Sequence, residues 1–116
     1  MIIWITGAPG AGKTTAAGKF ARLFPKSWIL DGDEVRQWLT DDCDFSDDGR
    51  LKHAKRVYEV AKRSSTRGMP VIVALVAHPP GDVNMCVWVD GPARRPMWEG
   101  TEFVPPRNYD IKLSTW

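Results

Sequence analysis

Gly7-Ala8-Pro9-Gly10-Ala11-Gly12-Lys13-Thr14 carries the spacing G-x-x-x-x-G-K-[ST] of a phosphate-binding loop. Glycines at these positions let the backbone bend until consecutive N–H groups face one anion. The start of the following helix adds its positive dipole end. Lys13 would reach the outer phosphates of a nucleotide, and the Thr14 hydroxyl would ligate Mg²⁺. The flanks agree with this chemistry. Ile2, Ile3, Trp4 and Ile5 form an apolar run ahead of the loop, and Ala17, Phe20, Ala21 and Phe24 follow it at helical spacing. The motif requires that strand–loop–helix context.

Asp31-Gly32-Asp33 follows a second short apolar run. Ligands of open parallel sheets bind at the carboxyl ends of the strands, so both carboxylates should face the phosphates. One would hold Mg²⁺ through water; the other would accept a proton from an attacking hydroxyl. Asp33 joins Thr14 as an expected metal-side residue. Lys13, Asp31 and Asp33 are the expected catalytic set. Helix capping by these carboxylates is compatible with such roles. Arg36 lies one helical turn after Asp33, and Arg50 opens a longer helical pattern. Arginine suits bidentate binding of phosphate or sulfate. Phe45 lies in a polar loop, where an aromatic ring can stack on a base. Lys52, Lys55 and Lys62 read as a solvated helix face.

These residues need elements to hold them. The pattern predicts strands at about residues 1–6, 28–30, 71–76, 87–89 and 111–113. Helices are expected from Gly12 to Phe24, from near Asp33 with Val35, Trp38 and Leu39 on one face, and over about 50–67. The long helix carries the stripe Ala54, Val57, Tyr58, Ala61 at i, i+3, i+4, i+7. Asp41 to Gly49 reads as an acidic loop and Gly68 as a C-cap. Strands alternating with helices imply an α/β protein with a doubly wound parallel sheet of about five strands, of the P-loop NTPase type and in a minimal version. Pro79-Pro80 leaves no helix between the third and fourth strands, so an extended crossover is expected there. The prolines at 92, 96, 105 and 106 likewise forbid a long helix between the last two strands. Trp4, Trp28 and Trp88 are expected in the core, with Trp38 and Trp116 packing at its edge.

The 116 residues suit one domain, 1–116, with a modest core. Stability is therefore expected to be marginal or assisted by a partner, a homodimer included. A net charge of +2 is too weak to argue for nucleic acid by itself. Cys43 and Cys86 lack metal-ligand spacing and read as free thiols of a cytoplasmic protein. No segment is apolar for long enough to span a membrane. The apolar start runs into the phosphate loop without a basic region, as a strand does and a signal peptide does not.

Taken together, four stretches resemble the adenylylsulfate kinase (APS kinase) family. Its loop G-x-x-G-x-G-K-[ST]-T corresponds to Gly7–Thr15, which adds Thr15 to the nucleotide-binding residues. Its L-D-G-D-[NE]-[VL]-R corresponds to Leu30–Arg36, and its F-S-x-x-D-R to Phe45–Arg50. Its R-R-x-x-E-V-A-K corresponds to Lys55–Lys62. The resemblance covers roughly residues 1–76. It implies transfer of phosphate from MgATP to the ribose 3′-hydroxyl of adenylylsulfate. By position, Asp33 would orient or deprotonate that hydroxyl, Arg36 and Arg50 would hold the phosphosulfate end, and Phe45 would stack on the acceptor adenine. Trp98-Glu99-Gly100 resembles the family's late F-T-G, so Trp98 would be the second stacking ring. Leu113-Ser114-Thr115 resembles its final L-x-T.

The chain also departs from the pattern. His53 stands where the family has Asn in the long helix, and would contact substrate there. Gly49 replaces the Asp before Arg50. The family's long basic lid is reduced to Pro92-Ala93-Arg94-Arg95-Pro96, where Arg94 or Arg95 would replace a lid cation and Arg94 joins the ATP-binding set. The leading expectation is thus a minimal kinase taking ATP and a small hydroxyl-bearing acceptor. A lidless kinase acting on a larger acceptor (modified DNA or RNA, or a sugar) is the alternative, less favoured. A non-catalytic nucleotide-binding module is the third reading, opposed by intact Lys13, Thr14 and Asp33.

Overall fold

The computed structural model describes residues 1–95 and 103–116. Five strands, β1 (Ile2–Gly7), β2 (Trp28–Asp31), β3 (Val71–Leu75), β4 (Met85–Asp90) and β5 (Ile111–Ser114), form one sheet in the order β2-β3-β1-β4-β5. Every neighbouring pair is parallel. β1 and β3 are buried along their whole lengths, as expected of strands covered on both faces. Helix α1 (Lys13–Leu23) packs on the face that carries Ile3, Ile5, Ile72, Val87 and Val89. Helices α2 (Gly32–Trp38) and α3 (Asp47–Ser65) cover the opposite face, with Trp4, Leu30, Val73, Val35 and Val57. This is the doubly wound α/β arrangement that the strand and helix patterns imply.

Local chemistry sets the boundaries. α1 ends where Pro25 cannot continue it, and the Phe24 N–H closes the last turn on Phe20 O. Asp31 caps α2, accepting from the Asp33 N–H. α3 begins three residues ahead of the sequence expectation, because Ser46 caps it and Asp47 and Asp48 suit the positive end of its dipole. Its C-cap is Thr66; Gly68 adopts φ +83° two residues further on.

The crossover from β3 to β4 is extended, as Pro79-Pro80 requires. Trp4 Nε1 donates to Ala77 O at 2.9 Å, and Tyr58 Oη donates to Asp82 O at 2.8 Å. The fully buried Trp4 indole and the Tyr58 hydroxyl thus tie the crossover to β1 and α3. The tryptophan expectations divide here. Trp28 and Trp88 are half-buried, and Trp38 and Trp116 are exposed. Trp88 packs edge-on to Tyr109 and under the Lys112 ammonium, on the β4–β5 side of the sheet. Both cysteines are free and buried. Among the described residues, no helix is long and apolar enough to cross a membrane.

Candidate functional site

At the carboxyl ends of β1, β2 and β3 lies a cavity of about 800 Å³. Pro9, Gly10, Gly12, Lys13, Thr14 and Thr15 line it from one side, with Asp31 and Asp33 next to them. Arg36, Phe45, Arg50 and His53 line the other side. Gly7, Ala8 and Ala11 lie beneath, in the buried turn that shapes the loop. Trp98 lies outside the described residues.

The loop has the conformation that its glycines permit. Gly10 and Gly12 adopt φ +77° and +115°, a left-handed region costly for other residues. The Lys13 ammonium donates to Ala8 O at 2.8 Å, folded back over the loop. Burial pulls the Lys13 pKa down from its ordinary value. The nearby carboxylates of Asp33 and Asp31 oppose that shift, and the Arg95 charge adds to it. A half-desolvated ammonium gains by meeting an anion there.

The Thr14 hydroxyl donates to Asp31 Oδ2 at 2.7 Å, while Asp31 Oδ1 accepts from the Asp33 N–H at 3.1 Å. A hydroxyl and a carboxylate beside a phosphate-binding loop are the hard oxygen donors that Mg²⁺ takes, with phosphate oxygens and water completing its shell. The arrangement therefore fits Mg²⁺, although no group of three metal-binding side chains occurs among the described residues. The carboxylate that touches Thr14 is Asp31. Asp33 projects separately and accepts from Arg95 Nη1 at 3.1 Å.

On the far side, Arg36 Nη1 donates to Cys43 O at 2.9 Å, and its guanidinium lies 4.1 Å from the centre of the Phe45 ring. Ring and guanidinium form a joined cationic and aromatic surface. Arg50 pairs with Asp47 at the start of α3. His53 is buried, and its Nδ1 is hydrogen-bonded to Thr40 Oγ1 at 2.7 Å. Burial, then the charges of Arg36 and Arg56, lower its pKa to about 4. His53 is thus a neutral wall of the cavity near neutral pH.

Gly49 stands where the family pattern has Asp, and the structure gives the reason. A Cβ there would run into the side chain and carbonyl of Asp44. Arg94 differs from Arg95 in what it faces. Arg94 bonds Gly10 O and Thr115 O, and Arg95 is the one that lines the cavity. Sequence reasoning also missed Phe103 and Val104. They reach the cavity rim because His78 Nε2 donates to Val104 O and its ring meets Phe103 edge-on. No spacing signal links positions 78 and 104.

The sequence model of the family described as Adenylylsulphate kinase matches residues 1–86. An adenylyl-sulfate kinase of Bacillus pumilus is 45% identical over 80 residues, which are 66% of this chain and 41% of that protein. For an adenylyl-sulfate kinase of Vibrio cholerae the identity is 39%, over 66% of this chain and 37% of the relative. The chain thus spans about two fifths of the length of these curated relatives. A Mycobacterium tuberculosis APS kinase solved with AMPPNP and APS superposes with a TM-score of 0.82. It is 21% identical, over 98% of this chain and 87% of that one, a likeness of fold.

Proposed function

The chain belongs to the adenylylsulphate kinase family, and from that premise we propose that it transfers the γ-phosphoryl group of ATP to a hydroxyl, the 3′-hydroxyl of adenylylsulfate. The observation that carries the reading is one shared cavity. The phosphate loop, two carboxylates and the Arg36–Phe45 surface all line it. Its volume of about 800 Å³ suits ligands of nucleotide size.

In this reading the loop N–H groups and Lys13 bind the outer phosphates, and Lys13 leaves Ala8 O for them. Thr14 and Asp31 hold Mg²⁺, which when bound neutralises charge on the phosphate oxygens. Asp33 accepts the proton of the attacking hydroxyl. The hydroxyl oxygen bonds to the γ-phosphorus, the bond from that phosphorus to the bridging oxygen breaks, and ADP leaves. Arg36 and Arg50 hold the anionic end of the acceptor, and Phe45 stacks on its base. Use of ATP fits the cytoplasm.

A larger acceptor is the second reading. It is favoured by the position of Phe45, half exposed at the margin of the cavity. Binding separates the two. The purified chain is saturated with a non-hydrolysable ATP analogue, then titrated calorimetrically with adenylylsulfate, a nucleoside, a sugar and an oligonucleotide bearing hydroxymethylated bases. The proposal expects adenylylsulfate to bind most tightly. Preference for the oligonucleotide or sugar would overturn it in favour of the second reading.

A further inference from the structure

Arg94-Arg95 rides on the phosphate loop. The N–H groups of Arg94 and Arg95 both donate to Pro9 O, at 2.9 and 3.3 Å. Contact is tight enough that a Cβ on Gly10 would stand 2.8 Å from Arg94 Cβ and 3.2 Å from Arg95 N. The Arg94 guanidinium completes the anchor. Its Nη1 donates to Gly10 O and its Nη2 to Thr115 O, each at 3.2 Å. Thr115 Oγ1 in turn donates to Ala11 O at 2.7 Å. The backbone of the dipeptide is therefore fixed to the loop and to the end of β5.

The Arg95 side chain is held quite differently. It lines the cavity, and among the described residues its guanidinium bonds the Asp33 carboxylate at 3.1 Å. The two side chains are 70% and 83% exposed. An ion pair that open to water contributes little and is readily exchanged. A terminal phosphate offers more charge than a carboxylate and accepts charge-assisted bonds from the planar guanidinium fork.

We propose that Arg95 is a catalytic cation shared in turn between two partners: it holds Asp33 in the empty site and moves to the transferring phosphoryl group when nucleotide is bound. The inference rests on the phosphotransfer reading. The exchange needs side-chain rotation alone, since the backbone stays pinned to Pro9 O. It also sets an order. Nucleotide draws Arg95 away from Asp33, and leaves that carboxylate free of this ionic partner to take the acceptor proton. Arg95 meanwhile bonds the oxygens of the phosphoryl group as it passes from the bridging oxygen to the hydroxyl oxygen. Arg94 has the separate task of seating the segment.

The test uses ADP with aluminium fluoride and Mg²⁺, a mimic of the phosphoryl group in flight, so no acceptor need be known. Calorimetry compares ADP alone with ADP and aluminium fluoride, for the parent chain, Arg95→Ala and Arg95→Lys. The parent should bind the fluoride complex more tightly than ADP. Arg95→Ala should keep its affinity for ADP and weaken the fluoride complex by about tenfold or more, the worth of a lost charged hydrogen bond. Arg95→Lys should keep part of the gain. Equal tightening in the parent and in Arg95→Ala would overturn the proposal and leave the phosphotransfer reading standing. No tightening in the parent would overturn both. A second measurement addresses the exchange. Asp33→Ala should tighten a non-hydrolysable ATP analogue in the parent background, by freeing Arg95. The same change should have much less effect in an Arg95→Ala background. An equal effect in both would show simple charge repulsion by Asp33 and overturn the sharing.

Discussion

The Thr14 hydroxyl donates to Asp31 Oδ2 across 2.7 Å, joining the first turn of α1 to the end of β2. The other oxygen of that carboxylate caps α2 through the Asp33 N–H. One side chain thus fixes the start of a helix and stands beside the hydroxyl of the phosphate loop.

These two tasks separate under substitution. Asparagine caps helices about as well as aspartate, so Asp31→Asn should change stability by less than about 0.5 kcal/mol. It removes the charge beside Thr14, so the gain in ATP affinity on adding Mg²⁺ should shrink. Asp31→Ala should lose the cap as well, at a cost of about 1 kcal/mol. Thermal melts and ATP titrations with and without Mg²⁺ check both.

Asp33 supplies no cap with its side chain, which is largely exposed and bonded to Arg95. Asp33→Asn should therefore leave stability intact and ATP binding at least as tight as in the parent, while lowering turnover by about 10²-fold or more, as loss of a general base does. Full activity in this variant would leave Asp33 without a chemical role. Steady-state turnover measured beside ATP affinity distinguishes the two.

His53 makes acid stability a readout of the cavity wall. Its pKa is about 4 in the folded chain, against 6.5 for an unburied histidine. Between those values the unfolded chain binds more protons, so stability is full above pH 6.5 and falls as pH drops towards 4. The loss amounts to about 3 kcal/mol at most, from the pKa difference. Denaturant melts at pH 7, 5.5 and 4.5 should show this decline, and His53→Gln should flatten it. Identical slopes for the two chains would mean that His53 does not carry the effect.

Much of this was legible in the sequence. The apolar runs of β1 and β3, the G-x-x-x-x-G-K-[ST] spacing and the Asp31-Gly32-Asp33 turn are local signals, and each implies its element and its place in the site. The proline pair at 79–80 likewise foretold a crossover without a helix. Contacts between distant segments were not legible. Nothing in the local sequence says that Arg95 meets Asp33, that Arg94 braces Gly10, or that His78 draws Val104 to the rim. Composition also misled about Trp38 and Trp116, because a large apolar ring has no local mark of burial. Hydrophobic pattern alone also set the α3 start too late. The Ser46 cap decides it.

Gly49 gives a steric test of that same turn. The family pattern places Asp before the arginine, yet a Cβ here meets Asp44 backbone as well as its side chain. Gly49→Ala should destabilise the chain by about 1–3 kcal/mol, the cost of crowding into fixed backbone. Gly49→Asp should cost more, since it adds charge beside Asp44, Asp47 and Asp48. Chemical denaturation of both variants measures this, and a neutral Gly49→Ala would mean that the turn yields freely.

The central claim is phosphoryl transfer driven from the phosphate loop. The most direct measurement incubates the chain with γ-labelled ATP, Mg²⁺ and adenylylsulfate, beside the Lys13→Ala variant, and separates the products. In the proposed reading Lys13 faces the outer phosphates, so its loss should abolish transfer and weaken nucleotide binding. The predicted result is label in a nucleotide product phosphorylated at the 3′-hydroxyl for the parent, and none for the variant. Label appearing only as inorganic phosphate in the parent, or an equal yield of labelled nucleotide from Lys13→Ala, would contradict the account.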